Sequence, residues 1–417
     1  MLPVFLRAPE SLTEGAESGD RGPGLWVSIV SARVSSPAKK DDCADHRLLP
    51  KECRELRLTY KAPIYGTLRL QVDGHEPVEV DRKLGEIPIM VKSSKCHLHG
   101  MTSKQLVADG EEPFEFGGFF IANGNEKAIR LLSMMRRNYV MALSRPSFTK
   151  RGTTYTKYGC MLRCVAPDQT GRTLVLHYLN TGNCTLSVKI RKQEYLIPAV
   201  LVLKALTPNS SDAQIFAHVT QGDASNTFVS DRIEVALRDC ASILGPRTQA
   251  DWLAYLGSRF RAVLVRALYM QDEATDQEVG EALVKHFLFV HLDDGQDKWN
   301  LLVAMLQKLY ALVEGVIVPD SPDSLHCQEV LLPGHLMAMM VKEKLQDYLG
   351  GVRDVFLKDL RPGASFAAKV NLADRTYIDS LLLRNPVDIG KKIEYFMSTG
   401  NLVSQSGLDL SQVSGYT

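Results

Sequence analysis

Apolar residues along this chain change their spacing from a period of two to a helical period, and that change predicts the order of its elements. From Leu25, Trp26, Ser28, Val30 and Ala32 alternate with Val27, Ile29, Ser31 and Arg33, as in an extended segment with two faces. Leu68, Leu70 and Val72 alternate in the same way with Thr67, Arg69 and Gln71. Ser35 to His46, lying between them, reads as a polar loop. Ile87 to Val91 predicts a short buried strand closed by the basic turn Lys92 to Lys95. Phe119 to Ile121 predicts another, running into an Asn123-Gly124 turn. Thr173 to Leu179 and Thr185 to Ile190 flank a turn at 180–183, and Leu196 to Leu206 reads as one buried element.

Helical spacing then takes over. Trp252, Leu253, Leu256, Phe260 and Val263 form one stripe, and Trp299, Leu302, Val303, Leu306, Leu309 and Val313 another. Pro319 to Pro322 breaks the array. A long helix is predicted from about Gly334 to Asp359, with Gly350-Gly351 as a weak point. Two shorter helices follow at Asp374 to Leu383 and Pro386 to Met397, the second closed by Gly400. Strands followed by helices predict an α+β fold. Met1 to Gly24 lacks periodicity and is expected to be a disordered arm.

Composition narrows the picture only slightly. The chain has 417 residues, 45% hydrophobic and 23% charged, enough for two or three cores. Its formal net charge of +1 leaves only local clustering to indicate partners. Eight cysteines form no CxxC pair, so reduced, buried cysteines are expected, with Cys160 and Cys164 on one strand face. Cys96, His97 and His99 could donate to a metal, but no second half of a tetrahedral site accompanies them. No apolar run approaches the ~20 residues needed to span a bilayer, and MLPVFLR is too short for a signal-peptide core, which predicts a cytosolic or nuclear protein.

Local charge is more informative. Lys127 to Lys157 contains Lys127, Arg130, Arg136, Arg137, Arg145, Lys150, Arg151 and Lys157 and no acid, interleaved with Tyr139, Phe148 and Tyr155. Such a run suits a polyanion, although a solvated face over buried strand residues would give the same letters. Asp272, Glu273, Asp276, Glu278 and Glu281 form an acidic stretch that reads as a solvated helix face, with docking of a basic partner as the alternative. Asp293-Asp294 reads as a polar turn rather than a Mg²⁺ site. There is no Walker loop and no recognisable Ser, His and Asp set, so no catalytic, cofactor or metal residue is assigned to this chain.

Five collinear segments carry a family resemblance. GGFFIANGNEKAIRLL, from Gly117, resembles the GGYFIINGxEKVIR segment of the second-largest subunit of multisubunit RNA polymerases. IPIMVKSSKC (Ile87 to Cys96) is similar to that family's VPIMVKSxxC, and LPKECR (Leu49 to Arg54) to its PAECR. MMRRNYVMALSRPSFTKRGTTYTKYG, PDSLHCQEVLLPGHL (Pro322 to Leu336) and STGNLVSQSGLDLSQVSGY (Ser398 to Tyr416) resemble the RNA polymerase I form. The resemblance runs from about Leu48 to the last residue. The alternatives are the equivalent subunit of polymerase II or III and a stand-alone polymerase-interacting fragment with no enzymatic role; Leu402, where the polymerase II form typically has Trp, argues against II.

The resemblance implies a protrusion domain with an inserted lobe: residues 1–24 an arm, 25–146 the first part of the protrusion, 147–332 the lobe, and 333–417 the second part, running into the fork region. It also implies partners, namely the largest and smaller polymerase subunits, template DNA and the RNA–DNA hybrid, in the nucleus and nucleolus, with no membrane. Mg²⁺ would belong to the assembled polymerase, and the zinc site and active-centre half to parts of the full-length subunit beyond this chain. The chain alone would then be inactive. Arg384, Lys391 and Lys392 would lie nearest nucleic acid, with Arg136 and Arg137 as further candidates. Gly117, Gly118, Asn123, Gly124, Glu126 and Lys127 would shape a turn and its packing.

Overall fold

The computed structural model describes residues 4–7, 24–39, 47–72, 75–167, 169–190, 193–208, 211–223, 225–244, 248–268, 274–361 and 374–400. Among them the chain divides into two units, one running up to Leu131 and resuming at Leu332, the other spanning Leu132–Leu331. The mixed α+β composition is present in the structure.

The first unit opens with an antiparallel sheet of β1 (Val4–Arg7), β2 (Gly24–Val34), β3 (Lys61–Val72) and β4 (Val78–Pro88), paired in that order. Alternation decides its core face: Leu25, Val27 and Ile29 of β2 and Ala62, Ile64, Leu68 and Leu70 of β3 are buried. Two expectations change here. Val4–Arg7 is not part of a disordered arm but pairs with Gly24–Val27 and buries Leu6; four residues are too few to show a period. The remainder of residues 1–23 lies outside the described residues. β4 begins nine residues before Ile87, because an edge strand tolerates the charges of Glu79, Asp81 and Lys83 that conceal it in sequence. Helix α1 (Pro50–Glu55) lies between β2 and β3. Helix α2 (Ser103–Ala108) and the hairpin β5 (Phe120–Ala122) and β6 (Asn125–Lys127) follow β4.

The second unit starts at β7 (Leu132–Met135), not at Ser147. β8 (Val140–Ser144), hidden in the basic run, is the edge of a five-stranded antiparallel sheet, so the unit must open before it. The others are β9 (Tyr155–Val165), β10 (Gly171–Leu179), β11 (Cys184–Ile190) and β12 (Gln193–Pro198), in the order β12-β11-β10-β9-β8. Cys160 and Cys164 are buried on one face of β9, as expected. The element expected over 196–206 is two: Pro198 has no N–H to extend β12, and α3 (Ala199–Leu206) begins directly after it. Helices α4 (Asp212–Val219), α5 (Thr227–Leu244), α6 (Gln249–Leu268), α7 (Asp276–His286) and α8 (Gly295–Glu314) complete the apolar core on one face of the sheet. Asp293 and Asp294 form the polar entry to α8, and Asp276 pairs with Arg261, which accounts for part of the acidic stretch; Asp272 and Glu273 lie outside the described residues. Strand β13 (Gln328–Leu331) pairs with β7 and closes the unit.

The chain re-enters the first unit in α9 (Pro333–Asp359), α10 (Arg375–Leu383) and α11 (Ile389–Thr399). Gly351 does not break α9: a Cβ there would come within 2.3 Å of the Asn385 Oδ1, so its place is fixed by close packing. Gly400 ends α11 in the left-handed region at φ 73°. Residues 401–417, and with them the expected tail and Leu402, lie outside the described residues.

The sheet face opposite the helices of the second unit carries a buried histidine. His177 of β10 lies edge-on to Phe148, with ring centroids 4.8 Å apart, and to Tyr155 at 5.9 Å. Neither ring nitrogen has a hydrogen-bond partner among the described residues. Burial, with the nearby Arg151 charge adding to it and Glu194 opposing it, pushes its pKa down from 6.5 to about 4. Between these values the unfolded chain binds the proton and the folded chain does not. Its contribution to stability is therefore complete above about pH 6.5 and is lost as pH falls towards 4. Urea unfolding of the second unit, followed by Trp252 and Trp299 fluorescence in a Trp26→Phe background, should show a steeper loss between these pH values with His177 present than in His177→Phe. The difference should be roughly 3 kcal/mol at most. Parallel pH profiles would show that His177 is not held neutral.

Candidate functional site

Three of the segments singled out in sequence, LPKECR, IPIMVKSSKC and the start of the glycine-rich run, come together in the first unit. Asn123 and Gly124 form the hairpin tip, with φ 51° and 78°. A side chain at Gly124 would be strained by its φ and crowded by its neighbours, since a Cβ would lie 2.8 Å from the Arg57 Cα. The Gly124 N–H donates to the Leu58 carbonyl at 3.0 Å, which holds the tip against the exit of α1. Gly117 and Gly118 bring the chain in beside Val91: a Cβ on Gly117 would meet the Val91 carbonyl at 2.6 Å, and the Gly118 N–H donates to that carbonyl at 3.0 Å. Lys127 ends the hairpin opposite Phe120.

Arg54 of α1 holds this arrangement together. It pairs with the fully buried side chain of Glu111, and its other guanidinium nitrogen lies 3.0 Å from Glu126 and 4.0 Å from Glu115. The second oxygen of Glu111 accepts from the Lys51 N–H at 2.6 Å. Glu52 reaches back to the Leu49 N–H at 3.1 Å and pairs with Lys39 at 2.8 Å, while Cys53 is buried. Burial pushes the Cys53 thiol up to about 12, so it is an inert core thiol. LPKECR and the glycine-rich segment are thus two halves of one junction.

Thr59 links that junction to α11. The Asn123 N–H donates to the Thr59 hydroxyl at 3.1 Å, and that hydroxyl donates to Glu394 at 2.6 Å. Lys61 lies 3.6 Å from the same carboxylate. Asp388 caps α11 by accepting from the Lys391 N–H at 3.2 Å. The Lys391 side chain projects outward, 85% exposed and 3.9 Å from Asp388, whereas Lys392 lies 3.3 Å from Asp347 of α9. Arg384 differs from the expectation that placed it with them. Its guanidinium grips Asp359 through two bonds of 2.8 Å, and Tyr377 donates to that carboxylate at 2.9 Å. Burial would raise the Asp359 pKa, but the bonds from Arg384 and Tyr377 outweigh it and hold the carboxyl below its ordinary range. The Arg384 charge is balanced inside the unit, so it acts as a clamp between α9 and α10.

In the second unit Arg136 lies over the Tyr139 ring, 5.2 Å from its centroid, and its N–H donates to the Cys327 carbonyl at 2.8 Å. Arg137 lies 3.3 Å from Glu329, which also receives the buried Arg163 at 2.5 Å. Asn138, at φ 56°, exchanges hydrogen bonds with Val165. Arg151 pairs with Glu194 at 2.8 Å. The eight basic residues are not one stripe: Lys127 and Arg130 belong to the first unit, the other six to the second.

Cys96, His97 and His99 do not fit a metal. The Tyr60 hydroxyl donates to the Cys96 sulfur at 3.4 Å, while the rings of His97 and His99 face the carbonyls of Pro37 and Lys92. Among the described residues no group of three or more His, Cys, Asp or Glu could hold a metal ion, and no helix is long and apolar enough to cross a membrane.

This junction belongs to a known class of chain. The chain is a member of the RNA polymerase beta subunit family, whose profile matches residues 7–378 and so begins well upstream of Leu48. Over 405 residues it is 44% identical to DNA-directed RNA polymerase I subunit RPA2 of Eremothecium gossypii, covering 95% of this chain and 33% of that protein. It is 41% identical over 413 residues to DNA-directed RNA polymerase I subunit RPA135 of Saccharomyces cerevisiae, covering 97% and 33%. The RPA2 of Pongo abelii is 36% identical over 393 residues, covering 94% and 34%. The chain spans about a third of the length of these relatives.

Removing Arg54 should leave Glu111 buried without its counter-charge. Arg54→Ala is expected to destabilise the first unit by about 3–5 kcal/mol in urea unfolding. Lys391→Ala should stay within about 0.5 kcal/mol of the parent. Equal effects from the two substitutions would refute the clamp. Thr59→Val should speed amide exchange in α11, and Thr59→Ser should restore it; unchanged exchange in Thr59→Val would show that the hydroxyl does not tether the helix.

Proposed function

We propose that this chain is the protrusion-and-lobe portion of the second-largest subunit of RNA polymerase I, shaping the DNA cleft and docking other subunits during ribosomal RNA transcription. The observation that carries this reading is identity along nearly the whole chain to proteins named as subunits of that polymerase, from yeast to ape. The first unit corresponds to the protrusion and the second to the inserted lobe. The partners are the largest and smaller polymerase subunits, with template DNA and the RNA–DNA hybrid in the assembled enzyme, in the nucleus and nucleolus. Mg²⁺ and the zinc of the full-length subunit are assigned to the assembled enzyme and neither to these residues.

The part of the first unit assigned to nucleic acid is the start of α11, where the exposed Lys391 projects and Lys392 follows. In the second unit Arg136 and Arg137 are assigned chiefly to packing, since each already has an aromatic or acidic neighbour. With Mg²⁺, nucleotides and a primed template, the purified chain should make no RNA. Template-dependent synthesis that survives removal of contaminating polymerase would overturn the scaffold reading. Duplex binding should be weak, with a log–log salt slope of about −2 to −3 at roughly 0.9 per phosphate contact. Lys391→Ala with Lys392→Ala should flatten that slope more than Arg136→Ala with Arg137→Ala. An unchanged affinity and slope in the folded lysine variant would remove α11 from the DNA surface.

A further inference from the structure

The tip of the β5–β6 hairpin carries a covalent liability that its own geometry restrains. Asn123-Gly124 is the one Asn-Gly pair in the sequence. The turn calls for that pair, because both residues take positive φ, 51° and 78°. The same pair is reactive in water. With no side chain to shield it, the Gly124 nitrogen can attack the carboxamide carbon of Asn123. A bond forms from that nitrogen to Asn123 Cγ, its proton passes to water, and the side-chain nitrogen takes up a proton and leaves as ammonia. Water then opens the five-membered imide at either carbonyl. One opening gives aspartate; the other gives isoaspartate, in which the main chain runs through the former side-chain methylene.

Asn123 is exposed, so water reaches it, but the attacking nitrogen is engaged. The Gly124 N–H donates to the Leu58 carbonyl at 3.0 Å and must let go before the ring can close. The Asn123 N–H is held by the Thr59 hydroxyl at 3.1 Å, and the Asn123 side-chain oxygen lies 3.3 Å from the same hydroxyl. Reaction is therefore confined to moments when the tip opens. We propose that Asn123 is a site of spontaneous deamidation, guarded by the bonds of the tip to Leu58 and Thr59, whose isoaspartyl product unlatches α11. The added main-chain carbon falls in a two-residue turn whose flanking residues, Ala122 and Asn125, pair directly. With the turn lengthened, the Gly124 N–H cannot stay on Leu58 while the Asn123 N–H stays on Thr59. The Thr59 hydroxyl, which donates to Glu394 at 2.6 Å, then loses its hold on the hairpin. Aspartate is the milder product. It keeps the chain length, and the bases nearby, Arg57 beside Gly124 and Lys61 at 3.6 Å from Glu394, offset its charge.

The test incubates the full chain and a synthetic peptide of residues 119–127 side by side in mildly alkaline buffer. Mass spectrometry follows the fragment containing Asn123, and an isoaspartyl methyltransferase with a labelled methyl donor marks the isoaspartyl form. Both should convert, the folded chain about tenfold or more slowly than the peptide. Thr59→Val and Arg54→Ala, where each stays folded by circular dichroism, should move the rate towards that of the peptide. Amides of α11 should exchange faster in the isoaspartyl chain than in the unreacted one, with Asn123→Asp between them. Asn123→Gln, which would have to close a larger ring, should neither convert nor loosen α11 on the same incubation. Conversion of the folded chain at the rate of the peptide would remove the guard. No conversion at Asn123 once Thr59→Val has loosened the tip would remove the site, and unchanged α11 exchange in the isoaspartyl chain would remove the latch. Any one of these results overturns the proposal.

Discussion

The first unit depends on one buried carboxylate. Glu111 has no exposed side-chain surface, and such a group is tolerated only when its charge is met by fixed partners. Arg54 and the Lys51 N–H meet it, and both come from α1, a six-residue helix too short to be stable alone. The dependence is mutual: α1 is held by what it clamps. Because Arg54 also reaches Glu126, the same guanidinium fixes the hairpin whose tip bonds Leu58 and Thr59. Segments more than fifty residues apart in sequence are thereby locked into one geometry.

That junction explains why α11 points as it does. Its inner face is packed through Ile389, Ile393, Phe396 and Met397. Packing alone leaves a helix free to slide or rotate slightly, whereas the Thr59 hydroxyl, bonded on one side to Asn123 and on the other to Glu394, sets its register against the hairpin. Lys392 on Asp347 fixes it against α9. Lys391 is left outward on a rigid support.

Much of this architecture was legible in the sequence. The alternation of β2 and β3, the Asn123-Gly124 turn and the stripes of α6 and α8 are local signals, and local signals can be read from a single chain. The misses share a physical cause. β1 and β8 are short, β4 is charged because it is an edge, and Gly351 looked like a breaker because its close neighbours, Asn385 and Val387, come from the later connection between α10 and α11. The pairing of LPKECR with the glycine-rich segment was likewise invisible, since Glu111 lies in neither and nothing local marks an acid as buried.

The basic stretch shows the same limit more sharply. A run without acids implies unpaired charge only if ion pairs form between sequence neighbours, and here they form across the sheet. Arg151 meets Glu194, two strands of the sheet further along the chain than β10, and Arg137 meets Glu329, beyond all the helices of the second unit. Arg384 is met by Asp359 in the same manner, from the end of a different helix. Positive density along a sequence therefore overstates positive density in space, because each strand or helix that folds back can deliver a carboxylate. Lys391 differs because its one acidic partner among the described residues is the cap of its own helix, 3.9 Å away, and its side chain remains in water. Exposure after folding, rather than clustering before it, is what separates a charge available to a polyanion from one that holds the protein together.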